Sequence, residues 1–134
     1  MNTKLNISIV LYNPIWQQVE DLTLELLQCQ YVHHVYWVDN SLNQRENIPI
    51  SSQKLHYIFN NHNMGYGAAH NIAIRESIYD DIPFHLVISP DIIVAANDLS
   101  TLVQFVVSHA EVGLLVPKVV YPNGQLQYLC KLLP

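Results

Sequence analysis

Two carboxylates and one glycine-bearing polar stretch are the residues of this chain whose types and spacing suit chemistry. The stretch is Asn60 to Ile74, Asn-Asn-His-Asn-Met-Gly-Tyr-Gly-Ala-Ala-His-Asn-Ile-Ala-Ile. Gly65 and Gly67 fall where an apolar strand pattern gives way to a helical one. Glycine lets the backbone turn with positive φ and lets another group approach closely. A helix start offers unpaired N–H groups and the positive end of a dipole, which suits a phosphate or a polar ligand edge. An ordinary strand-to-helix turn is the competing reading. Asp39 follows an apolar strand and precedes Asn40 and Ser41. It can accept hydrogen bonds from a nucleobase N–H or ribose hydroxyls, or satisfy its own turn. Asp91 ends the run Leu86-Val87-Ile88-Ser89-Pro90-Asp91. A carboxylate held there can steady a divalent cation against a diphosphate, because such ions take hard oxygens and often only one or two protein carboxylates. Capping of a turn or helix is the alternative for Asp91.

The elements that must position these groups alternate between strand and helix. Leu5 to Tyr12 reads as a strand buried on both faces. Ile15, Val19, Leu22, Leu26 and Cys29 recur at helical spacing, so a helix is predicted from about Trp16 to Gln30. Val32 to Val38 is a second strand, and Ser41 to Lys54 a polar surface connection. A third strand spans Leu55 to Phe59, then a helix from about Gly67 to Ser77. Phe84 to Ile88 is a fourth strand. Asp98 is the expected N-cap of a helix reaching Ser108. Val112 to Tyr121 reads as a fifth strand, broken by Pro117; Pro122-Asn123-Gly124 turns it, and Leu126 to Leu129 returns. The pattern predicts one α/β domain over 1–134, with a mainly parallel sheet flanked by helices. Parallel strands bring Tyr12-Asn13, Asp39-Asn40-Ser41, Asn60 to Asn63 and Ser89-Pro90-Asp91 to one edge, the carboxyl ends, where such sheets bind ligands.

Composition narrows the function classes. The chain has 134 residues, half of them hydrophobic, and a formal net charge of -5. Its six basic residues (Lys4, Arg45, Lys54, Arg75, Lys118, Lys131) are scattered, which argues against a nucleic-acid partner. No run of 18 apolar residues appears, and the start does not resemble a signal peptide, so the cytoplasm, including the inner face of the membrane, is the expected compartment. Cys29 and Cys130 are expected as buried free thiols. His33 and His34 are adjacent and should point to opposite faces of their strand. No zinc spacing, phosphate-binding Gly-rich lysine loop, nucleophile elbow or dinucleotide fingerprint is present.

With these residues in place, the chain resembles the N-terminal, donor-binding part of family 2 glycosyltransferases, especially the rhamnosyltransferase-like branch. The matching motifs are Ile7 to Asn13, Val38-Asp39-Asn40-Ser41, Asn63 to Ile74, Leu86 to Asp91 and Pro122 to Gln127, in order over nearly the whole chain. The resemblance implies a GT-A-like, Rossmann-like fold that binds a nucleotide-diphosphate-sugar with Mg²⁺ or Mn²⁺. It implies contact of Asp39 with the base, a nucleotide pocket lined by Tyr12, Asn13, Asn63, Gly65, Tyr66, Gly67 and His70, and a metal role for Asp91. Ser89 stands where the family's metal motif has its first Asp.

The implied reaction is inverting transfer of a sugar, with rhamnose from a dTDP donor preferred, to a glycan or lipid-linked acceptor. Family members continue for another hundred residues or more, and that half supplies the acceptor site and a general base. No Asp or Glu follows Glu111 here. The expectation is a fold truncated at the C-terminus, incomplete for catalysis alone, whose apolar C-terminal region self-associates. A non-catalytic nucleotide-binding or interaction module is the second reading. A nucleotidyltransferase ranks below both, because Tyr12-Asn13-Pro14 stands where its Gly-rich basic loop would be.

Overall fold

A computed structural model describes residues 2–127. Cys130 and the expected return strand beyond Gln127 lie outside the described residues. Strand β1 (Leu5–Leu11) is buried along its whole length. It lies between β2 (Val32–Asp39) and β4 (Phe84–Ile88), and β3 (Leu55–Phe59) flanks β2, giving the order β3-β2-β1-β4. Every pairing in this sheet is parallel. Helix α1 (Trp16–Leu27) connects β1 to β2, and α2 (Tyr66–Tyr79) connects β3 to β4. Helix α3 (Ala96–Ser108) follows β4.

The strand period of two explains how both faces of the sheet are filled. Leu5, Ile7, Ile9 and Leu11 meet Val19, Leu22 and Leu26 of α1 and Leu99 and Val103 of α3. Val10, Tyr36 and Val38 on the other face meet Ala69 and Ala73 of α2. The two crossover helices therefore cover opposite faces. Trp37 is fully buried, and its indole N–H donates to Thr23 Oγ1 at 2.9 Å. Trp16 packs against it at 5.8 Å between ring centroids.

Several elements depart from expectation. Helix α1 stops at Leu27; Gln28 and Cys29 form tight turns back to Glu25 and Leu26, which bring the chain round to β2. The 41–54 connection is mostly exposed, as its polarity predicts, and is pinned at a few points. Ile48 and Ile50 pack on the core, and Arg45 sits over the Trp16 ring at 4.4 Å while pairing with Glu20 at 2.6 Å. Helix α3 begins with Ala95 as N-cap, so Asp98 lies in its first turn instead of capping it. Glu25 of α1 reaches across to accept the Ala96 N–H at 2.9 Å.

The expected fifth strand does not join the sheet. Only β5 (Val119–Val120) is extended and paired, in an antiparallel hairpin with β6 (Leu126–Gln127). Pro117 has no N–H to give a ladder, and Val112, Leu115 and Pro117 instead line a small cavity with Phe84, Leu86 and Val103. The outer edge of β4 thus has no neighbouring strand among the described residues. Leu114, Val116 and Tyr121 remain exposed nearby.

A register shift between Leu5 and Asn6 places His34 opposite Asn6, leaving His33 as an extra residue. This bulge defeats the alternation expected of adjacent strand residues. The His33 and His34 rings lie side by side, centroids 4.0 Å apart.

Candidate functional site

The strand order reverses at β1, since the chain moves outward through β2 and β3 and then returns to β4 on the other side. The carboxyl ends of β1 and β4 therefore flank the switch point where open α/β sheets take ligands. The loops at this edge are tied together by polar side chains. The Asn13 N–H donates to Ser41 Oγ at 2.7 Å, and the Ser41 N–H to Asp39 Oδ1 at 2.9 Å. Asn40 bridges two more segments: its Nδ2 donates to the Gly65 carbonyl at 3.2 Å, and its Oδ1 accepts from Asn60 Nδ2 at 2.8 Å. Asn13 and Asn61 hold positive φ, as short polar residues tolerate in tight turns.

Asp39 is completely buried, and both its oxygens are engaged. Besides closing the turn to Ser41, it accepts the Tyr57 hydroxyl at Oδ2 at 2.6 Å. Burial and this bond to Asp39 push the Tyr57 phenol up to about 12, so it stays a proton donor. Asp39 therefore organises the β2 and β3 ends from within and presents no surface to the rim in this conformation. Asp91, by contrast, is exposed. Its loop turns through an Ile92 N–H to Ser89 carbonyl bond of 3.2 Å, and it lines a groove with Gln18, Asp21 and Glu25 of α1.

The central segment forms the strand-to-helix junction that its glycines predict. Gly65 is the N-cap of α2 at φ 91° and ψ 161°, and no side chain caps this helix. The Gly65 N–H donates instead to Asn63 Oδ1 at 3.0 Å. Tyr66, Gly67 and Ala68 in the first turn are exposed, and a Cβ built on Gly67 meets nothing within 4 Å. The Tyr66 hydroxyl lies 3.4 Å from Ser89 Oγ, joining the start of α2 to the end of β4. Tyr12, Asn13 and Asn63 are exposed on the same edge.

His70 is elsewhere. It is 3% exposed, beneath α2, with Nδ1 2.7 Å from Ser8 Oγ and Nε2 buried without a partner. Ser8 also contacts His85 Nε2 at 2.8 Å, and His85 Nδ1 contacts Ser77 Oγ at 2.7 Å. Asn6 Nδ2 completes the row by donating to Ser77 Oγ at 3.0 Å. Burial holds both imidazoles at about 4, with His70 adding to the effect on His85. Sequence reasoning missed this row. Its signals were the alternation of Asn6 and Ser8 in an apolar strand and the shared helix face of His70 and Ser77.

No family model matches the chain, and no curated protein matches it. No helix among the described residues is long and apolar enough to cross a membrane.

Proposed function

We propose that this chain binds a nucleotide-diphosphate-sugar and acts as the donor-binding portion of a GT-A-like glycosyltransferase. The observation that carries the reading is the uncapped, exposed start of α2, bridged through Tyr66 to Ser89 beside the switch point. Unpaired first-turn amides and the helix dipole favour a phosphate there. Gly65 and Gly67 keep the approach free of side chains. Tyr12 and Tyr66 offer exposed rings against which a base can stack. Asn13 and Asn63 supply polar edges, and Asp39 holds the loops through Ser41 and Tyr57. His70 supports α2 from below.

The donor set fits Mg²⁺ or Mn²⁺. Asp91 gives one exposed carboxylate and Ser89 a hydroxyl, both hard oxygens, and Mg²⁺ commonly uses one or two carboxylates with phosphates and waters. Such an ion would neutralise the charge of the departing nucleoside diphosphate. The sugar, with rhamnose the preferred candidate, would pass to a glycan or lipid-linked acceptor.

One observation favours a non-catalytic interaction module instead: the complete burial of Asp39 keeps that carboxylate from a base or ribose at the rim. Thermal unfolding with UDP, dTDP and GDP, with and without Mn²⁺, tests the donor site, and turnover of a nucleotide-sugar separates a transferase from a non-catalytic nucleotide-binding module. Ligand at about 100 times its dissociation constant adds roughly 2.7 kcal/mol of stability. A metal-dependent shift that disappears in Asp91→Ala supports the donor site. No shift with any nucleotide refutes it.

A further inference from the structure

A second group of ligand-type side chains lies at the opposite, amino end of the sheet. His33, His34 and Asp80 each bring a ligand atom within 4.8 Å of the other two. Spacing along the chain hides this cluster, because two independent features create it. The β1–β2 bulge turns consecutive histidines to one side, and Asn6 fixes it by accepting the His34 N–H at Oδ1 at 3.0 Å. Asp80 arrives from another layer as the C-cap of α2, whose capping bonds use its backbone N–H and leave its carboxylate free of that task. The carboxyl end of a helix carries partial negative charge, which favours a cation.

The surroundings orient the ligands. His34 Nδ1 lies 3.2 Å from Tyr36 Oη, and the His56 ring meets His34 edge-on at 4.3 Å. Metal-ligating histidines commonly donate their second N–H to a fixed acceptor. In the tautomer that donates Nδ1–H to Tyr36 Oη, the Nε2 lone pair of His34 is left for an ion. Burial lowers the pKa of both histidines, helped by Lys4 at His33 and by His33 at His34 and opposed at both by Asp80. Lys4 and Lys54 oppose a cation, and the Lys54 ammonium is held on the Val32 carbonyl at 3.0 Å with its charge intact.

We propose that His33, His34 and Asp80 bind a divalent transition-metal ion of the Zn²⁺ type and clip the start of β2 to the end of α2. Two imidazoles and a carboxylate suit Zn²⁺ and its late-transition neighbours, whereas Mg²⁺ and Mn²⁺ prefer all-oxygen sets. Ligands at about 2.1 Å from one tetrahedral ion stand roughly 3.4 Å apart. The exposed Asp80 side chain supplies the small rotation this requires. Three protein ligands leave a fourth position for water or an external group. The site is separate from the Asp91 rim and does not depend on the donor-site reading.

Calorimetric titration of the full chain with Zn²⁺ alone, under reducing conditions, tests this. One ion per chain is expected. Its affinity should fall more than tenfold in His34→Ala and in the milder His33→Gln and Asp80→Asn, and stay unchanged in His109→Gln. Co²⁺ in place of Zn²⁺ should give intense visible absorption of tetrahedral type, and Mn²⁺ should not compete. Weak uptake spread over several sites, or one-to-one binding that survives both His33→Gln and Asp80→Asn in folded protein, overturns the proposal.

Discussion

Replacing His70 with Gln should flatten the acid sensitivity of this protein. The imidazole is buried among Ser8, Tyr66 and the body of α2, and burial keeps its folded pKa at about 4, against 6.5 when solvated. Between those values the unfolded chain takes up a proton that the folded chain refuses. Stability therefore falls as pH drops below 6.5 and stops falling on this account near 4. At about pH 5 the one-sided uptake spans about 1.5 pH units, worth about 2 kcal/mol at about 1.36 kcal/mol per unit. That is a large part of the roughly 5–15 kcal/mol that separates folded from unfolded domains. His85 acts in the same direction, so the wild-type slope exceeds that of one group. Urea unfolding at about pH 7 and about pH 5 measures the loss in each protein, and His70→Gln should lose roughly 2 kcal/mol less than wild type. Equal losses would show that His70 is not kept neutral by burial, and the account of the Ser8 row would fail.

Gly65→Ala and Gly67→Ala should separate conformation from space. Neither added Cβ meets a neighbour, but Gly65 holds φ 91°, so its variant should lose about 1–3 kcal/mol while Gly67→Ala gains up to about 0.5–1 kcal/mol in urea unfolding. Tyr57→Phe leaves a buried Asp39 oxygen without its donor and should cost about 1.5–3 kcal/mol by the same measurement. Glu25→Ala uncaps α3 from outside the helix; a loss of about 0.5–2 kcal/mol with little change in α1 amide exchange is expected.

The parallel sheet was legible because its signal is local. Continuous apolar runs of strand length, each closed by Asn, Asp or Pro, alternate with helical spacing, and all four strands of the main sheet formed where that pattern placed them. The fifth failed because apolar character alone does not make a ladder: Val112, Leu115 and Pro117 face β4 and α3 across a cavity without pairing. The N-cap of α3 was misplaced for a related reason. Asp98 has the right residue type, but its role went to Glu25, which is distant in sequence. At the site, the Gly65 turn and the shared edge of four loops followed from residue type and topology. The burial of Asp39 did not, since only the tertiary arrangement brings Tyr57 to it. The pairing of His33 with His34 was hidden by a one-residue bulge that no local spacing announces.

Asn6 carries a consequence for how the molecule assembles. Its single amide spends its oxygen on the backbone of β2 and its nitrogen on Ser77 in α2. A slip of β1 by one residue would turn this amide into the opposite, apolar layer. Two buried polar groups would then lack partners, at about 1–3 kcal/mol each. Seating α2 on an unaligned pair of strands would leave the nitrogen equally stranded. Strand alignment and helix docking thus succeed or fail together, which couples the first forty residues to the stretch that follows β3. Such agreement between distant choices is what gives a chain one deep basin. The polar residue that interrupts β1 is therefore a source of all-or-none folding.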